Sequence, residues 1–172
     1  EFIEIYNANF LPVDISGWVL GYPRRTKPTT TIPAGTSIPR RGYLIFARAD
    51  EMLFRQIYPS TPDSAVVIEL SFGLTNDFRP PEGCVVYLKD AQGIYQDAVT
   101  YNFKWDGKGA DGTDKTSERV SYCVMNVGDS KIGGLDDENW NPSPYPFGTP
   151  GICNSLHKSI KLCSLYSFLK FY

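Results

Sequence analysis

The chain never runs far before a turn residue stops it. Apolar or β-branched stretches at Phe2 to Tyr6, Trp18 to Leu20, Thr29 to Ile32, Tyr43 to Ala47, Ala65 to Leu70, Val85 to Leu88, Asp97 to Tyr101 and Arg119 to Val124 alternate with segments rich in Gly, Pro, Asn and Asp. Short strands at this spacing predict a sandwich of sheets. In the first stretch Ile3 and Ile5 take one face and Phe2, Glu4 and Tyr6 the other. Tyr43 to Ala47 is the most strongly apolar. A single segment reads as helix: Asp50 is placed to cap it, Leu53, Phe54 and Ile57 are expected to share one face, and Pro59 ends it. Between the stretches ending at Leu88 and beginning at Asp97, Asp90 can bond back onto its turn and Gly93 can take a positive φ, which predicts a hairpin. Residues 105–115 and 128–146 read as long surface loops. No repeat of solenoid or propeller period is visible.

A chain of 172 residues suits one core plus short extras. Its net charge of −2, from 17 basic and 19 acidic residues, provides no long-range field to collect nucleic acid or anionic lipid, although Arg24, Arg25 and Lys27 could form a local patch. Nothing is apolar for long enough to span a bilayer; the nearest stretch, Ile160 to Tyr172, is interrupted by Lys161 and Lys170. The opening Glu, with no Met and no leader before it, is expected of a processed protein or a fragment. Cys84, Cys123, Cys153 and Cys163 lack C-x-x-C spacing, so a zinc ribbon or redox motif has no support and their pairing stays open.

Several blocks occur in a recognisable order: Glu1-Phe2-Ile3-Glu4-Ile5-Tyr6-Asn7, Asp14-Ile15-Ser16-Gly17-Trp18-Val19-Leu20, Ile32-Pro33-Ala34-Gly35-Thr36 leading to Gly42-Tyr43-Leu44, and Leu88-Lys89-Asp90 with Gly93. Asp97-Ala98-Val99-Thr100-Tyr101, Ser117-Glu118-Arg119, Asn139-Trp140 and Gly148-Thr149-Pro150-Gly151 follow. Together they resemble the lamin-tail domain, of a prokaryotic type, over residues 1–154. The resemblance implies an all-β fold, an immunoglobulin-like antiparallel β-sandwich with one short helix, and a non-catalytic interaction module found in nuclear lamins and in secreted or surface proteins of prokaryotes. The family's usual first strand is absent, which is expected to leave one sheet edge bare and open to pairing. Residues 155–172 have no counterpart in the family pattern, and a linker, a packed helix and unrelated sequence all remain open for them.

Little here reads as catalytic machinery. The single histidine, His157, lies in the unmatched tail, which argues against a histidine-dependent triad or a pair with Cys153. Among carboxylates, Glu4, Asp90 and Asp97 are candidates for acid–base work, but each reads better as a group accepting from turn amides. Residues 106–114 alternate oxygen ligands with glycine in the manner of a calcium loop, yet the spacing is wrong for an EF-hand, so a solvated acidic loop is preferred and no cofactor is expected. Trp140 reads as a structural plug. Trp105, Asp106, Asp111, Asp114 and Tyr145 are the candidate ligand contacts, presented by the two long loops.

The function expected is a non-enzymatic interaction or tethering module of a larger, secreted or cell-surface protein. Its partner would be another protein or a neighbouring domain. The alternative is an accessory domain that binds carbohydrate or nucleic-acid polymer for a linked enzyme. A nuclear, lamin-like structural role has less support, since neither a coiled-coil heptad nor a basic localisation run is present.

Overall fold

Alternating side chains on five-residue strands can bury two faces at once, and the architecture follows from that. The computed structural model describes residues 1–21, 28–73, 84–101, 117–119, 140–152 and 168–171. In chain order the elements are β1 (Phe2–Tyr6), β2 (Val13–Asp14), β3 (Val19–Gly21), β4 (Thr29–Thr31), β5 (Ser37–Ile38), β6 (Tyr43–Ala47), α1 (Glu51–Ile57), β7 (Val66–Glu69), β8 (Cys84–Lys89), β9 (Tyr95–Tyr101), β10 (Ser117–Arg119), β11 (Trp140–Pro142) and β12 (Phe168–Phe171). A six-stranded sheet is ordered β11-β10-β12-β1-β6-β7 and a four-stranded sheet β4-β3-β8-β9, with β2 and β5 forming a small separate pair.

The two larger sheets enclose the main core. Ile3 and Ile5 of β1 and Leu44 and Phe46 of β6 meet Leu20, Val86, Leu88 and Val99 of the four-stranded sheet, with Ile15, Ile32, Ile38, Leu70 and Phe72 closing the ends. Burial of each such side chain contributes about 1.5–3 kcal/mol. The opposite face of the six-stranded sheet is buried too. Phe2, Tyr43, Ile45 and Ala47 pack there beneath Phe54 of α1 and Ala65, with Tyr6, Tyr58 and Val67 at the margin. The fold is therefore a sandwich with a third, partial layer over one sheet.

Two features depart from the expected pattern. All described strand pairs are antiparallel except β6 with β7, which run parallel, Leu44 opposite Val66 through Ala47 opposite Glu69. Parallel neighbours need a crossover, and α1 supplies it. β1 also has a neighbour that the sequence did not place: it lies between β6 and β12, with Ile3 opposite Phe171 and Tyr6 opposite Phe168 on the β12 side. Residues 168–171 thus extend the six-stranded sheet as a strand. Of the strand expected at Arg119 to Val124, only Arg119 falls within β10, and residues 120–124 lie outside the described residues.

Buried polar groups fix the turns. Asn7 is 1% exposed, and its amide nitrogen donates to the carbonyls of Leu11, Ile38 and Pro39 at 2.9, 3.1 and 3.0 Å while its oxygen accepts from the Asn9 N–H. That one side chain ties the end of β1 to the β5–β6 turn. On the outer face of the four-stranded sheet Gly21 is opposite Tyr87, whose ring lies so close that a Cβ at Gly21 would come within 2.2 Å of it.

Candidate interaction surface

Glu4 sits in the middle of β1 on the sheet face turned away from the main core, 2% exposed. A carboxylate so placed requires hydrogen-bond donors. One comes from far along the chain, the Gly151 N–H, which donates to Glu4 Oε2. Gly151 reaches it because Pro150-Gly151 occupies the centre of a turn closed by the Ile152 N–H on the Thr149 carbonyl, with Gly151 at φ 75°. The preceding turn is of the same kind: the Gly148 N–H bonds the Tyr145 carbonyl, with Pro146 and Phe147 at its centre. Pro at the first central position and positive φ at the second define a type II turn, and glycine normally fills that second place. Here Phe147 does, at φ 60°. A bulky residue in the left-handed region is uncommon and costs about 1–2 kcal/mol.

The helix reaches the same face of the sheet from the other side. Asp50 accepts from the Leu53 N–H at 2.8 Å, capping α1 as expected. Phe54, 2% exposed, stands edge-on to Phe2 with centroids 5.7 Å apart, and Tyr58 does likewise at 5.5 Å. Arg55 turns back along the helix: its Nε donates to Glu51, and its terminal nitrogens donate to the carbonyls of Pro62 and Ala65 at 3.1 and 2.9 Å. This clamps residues 61–65, on which the Gly151 turn rests; a Cβ at Gly151 would come 2.8 Å from Pro62 Cδ. Along β1 the order is then α1 over Phe2, the Gly151 turn over Glu4, and Arg41 over Tyr6. The Arg41 guanidinium donates to the Tyr6 hydroxyl at 3.3 Å and lies 4.5 Å from the centre of the Phe10 ring.

The helix expected to carry Leu53, Phe54 and Ile57 on one face is present, and the packing buries only part of that face. Only Phe54 is buried; Leu53 is 45% and Ile57 58% exposed, beside Met52 at 69%. A single turn of contact with Phe2 admits one large side chain, and the remaining apolar residues of a seven-residue helix are left facing water. The sequence does hold a signal that would have found this. Apolar residues at 52, 53, 54 and 57 occupy more of the helix circumference than one sheet can cover. Tyr145 and Phe147, 55% and 50% exposed, and Ile152 point outward from the segment that leaves the sheet at β11 and ends over Glu4. Of ten large apolar side chains exposed among the described residues, six belong to α1 or this segment, so outward-facing apolar surface is concentrated there.

The carboxylates weighed for chemistry occupy separate places. Glu4 serves the Gly151 turn on the far side of the six-stranded sheet. Asp97 is buried at the margin of the main core and accepts from the Ala98 N–H at 2.9 Å. Asp90 accepts from the N–H groups of Gln92 and Ile94 at 2.9 and 2.8 Å and from the Gln96 amide at 2.7 Å, while Gly93 takes φ 81°, so the hairpin turn forms as read from sequence. Withdrawal from water pushes the Asp90 carboxyl upward, but the bonds from Ile94, Gln96, Gln92 and Gly93 together outweigh it and hold the group below its ordinary range. Asp14 is held low in the same sense by hydrogen bonds from Ser16, the hydroxyl first and the backbone N–H second. Carboxylates fixed as acceptors of backbone donors are poor general acids or bases. Among the described residues no group of three or more His, Cys, Asp or Glu side chains could hold a metal ion.

Of the residues expected to contact a ligand, Tyr145 is the one described, in the turn above. Trp105, Asp106, Asp111 and Asp114, and with them the calcium-like loop, lie outside the described residues. So do His157, Cys123, Cys153, Cys163, Arg24, Arg25 and Lys27. Among the described residues no helix is long and apolar enough to cross a membrane. A family model described as Lamin Tail Domain matches residues 1–103. No curated protein and no solved structure matches the chain.

Proposed function

Because a match over residues 1–103 of 172 places the chain in the lamin-tail-domain family, whose members are non-enzymatic immunoglobulin-like domains, we propose that it is an interaction module that tethers a larger protein to a partner or a neighbouring domain. The observation that carries this reading is the outward-facing apolar set on α1 and the 143–152 segment, held over β1 by the Phe2–Phe54 contact and the Glu4–Gly151 hydrogen bond. Large apolar groups grouped on a rigid scaffold are the composition of a docking face. The proposed setting, a secreted or cell-surface protein, follows the habit of prokaryotic family members.

A benzophenone side chain placed at Ile57, and separately at Ile94 on the hairpin, tests the reading in cells that make the protein. Irradiation should give an adduct of defined size from position 57 and none from position 94. No adduct at 57, or equal adducts at both, would remove the support. Fractionation of the same cells tests the compartment.

A second reading, an accessory domain that holds polymer, has one observation in its favour. On the outer face of the four-stranded sheet the Tyr87 and Tyr95 rings stand 5.5 Å apart, with Lys89 Nζ 4.3 Å from the centre of Tyr95. Retention on insoluble polysaccharide that is lost in Tyr95→Ala would favour it over protein docking.

A further inference from the structure

The charges around the exposed helix face carry the reading one step further, to the chemistry of the partner. Residues 50–63 contain three carboxylates, Asp50, Glu51 and Asp63, and one cation, Arg55. All three acidic residues are exposed, whereas the Arg55 guanidinium is folded back onto Glu51 and the carbonyls of Thr61, Pro62 and Ala65. Met52, Leu53 and Ile57 are exposed on the same short helix. The segment therefore presents apolar side chains together with carboxylates, and its one cation within residues 50–63 points inward to clamp the 61–65 loop.

We infer that this face takes a basic amphipathic peptide segment, with aliphatic or aromatic anchors against Met52, Leu53 and Ile57 and Lys or Arg beside Asp50, Glu51 and Asp63. The inference rests on the interaction-module reading and names its partner. Three features support it. Unlike charges across an interface steer encounter and fix orientation, while like charges exclude the wrong partner. Met52 is unbranched and polarisable, suited to anchors of varied shape. Phe54 and Arg55 hold the helix from beneath, so docking need not order it. An acidic partner would meet the Asp50 and Asp63 carboxylates, which no cation within residues 50–63 balances once Arg55 is paired with Glu51, and a purely polar one would leave the apolar side chains uncovered.

The test uses the full chain and three synthetic peptides of equal length: a Leu/Lys amphipathic helix former, the same pattern in Leu/Glu, and a Ser/Lys peptide of equal charge. Binding is followed by fluorescence anisotropy at low and moderate salt. The Leu/Lys peptide should bind at least tenfold more tightly than either other peptide and weaken as salt rises. Met52→Gln/Leu53→Gln/Ile57→Gln should lower its affinity at least tenfold with the thermal midpoint nearly unchanged, whereas Leu11→Gln/Ile94→Gln, at exposed positions away from α1, should not. Undiminished binding to the triple variant, or Ser/Lys binding as tight as Leu/Lys, overturns the inference. If Leu/Glu binds best and the triple variant loses it, the face docks but its partner is not basic. If no peptide protects the α1 amides from exchange, the docking face itself is refuted.

Discussion

Truncating Leu53, Phe54 and Ile57, three of the four apolar side chains of α1, one at a time separates the burial seen in the structure from the burial expected of an ordinary amphipathic helix. Phe54 is 2% exposed and pairs with the rings of Phe2 and Tyr58 at 5.7 and 4.7 Å. Full burial of a phenylalanine is worth about 1.5–3 kcal/mol, and each ring pair adds about 0.5–1.5 kcal/mol. Phe54→Ala should therefore cost about 4 kcal/mol, inside the range of about 3–5 kcal/mol typical of core Phe→Ala changes. Leu53 and Ile57 keep about half their surface in water, and alanine returns a few tenths of a kcal/mol of helix propensity, so Leu53→Ala and Ile57→Ala should each change stability by less than about 1 kcal/mol. For a chain of this size about 1 kcal/mol moves Tm by roughly 2–4 °C, so Phe54→Ala should melt roughly 8–16 °C lower and the other two within a few degrees of the parent. Urea unfolding followed by tyrosine and tryptophan fluorescence gives the free energies. Equal losses at Leu53 and Phe54 would show that α1 is buried on a broader face, and with it the docking surface would go.

Gly151→Ala should lose about 2–4 kcal/mol in urea unfolding, combining the left-handed φ with the crowding of Pro62 and Ala65, whereas Gly93→Ala, at a similar φ in open space, should lose only about 1–2 kcal/mol. Equal losses would mean that the Gly151 turn is not packed on residues 61–65. The Asp90 carboxyl has a folded-state pKa below its ordinary value of 3.8, so its contribution is present above about pH 4 and is lost as pH falls through the depressed value. Asp90→Asn should flatten that acid limb of the stability–pH curve, and an unchanged limb would assign it elsewhere. The Thr61 hydroxyl is buried with no hydrogen-bond partner among the described residues, so Thr61→Val should raise stability by about 1 kcal/mol, and a loss of that size would reveal a partner to the hydroxyl.

What could be read from the residues was whatever local chemistry decides. The alternation of β1, the apolar run of β6, the Asp50 cap and the Asp90–Gly93 hairpin were each specified within a few residues, and the structure has them where they were expected. Glu4 and Asp97 were legible as acceptors for backbone amides, because a carboxylate on a buried strand face has few alternatives. The identity of the Glu4 donor was not legible, since Gly151 lies 147 residues away. The parallel pairing of β6 with β7 and the partner on the second side of β1 also depend on which strands become neighbours, which no local pattern records. The outward face of α1 was obscured for a different reason: helical periodicity marks a stripe as apolar but carries no measure of how much of it the sheet below can cover.

The joining of Glu4 to Gly151 bears on how β1 would respond to a mechanical pull. A pull on residue 1 meets the β6 ladder on one side of β1, the β12 ladder on the other and the Glu4–Gly151 bond across its face, so all three share the load. Such a strand resists extraction as part of a sheet, with the buried Glu4–Gly151 bond adding a cross-brace to its middle.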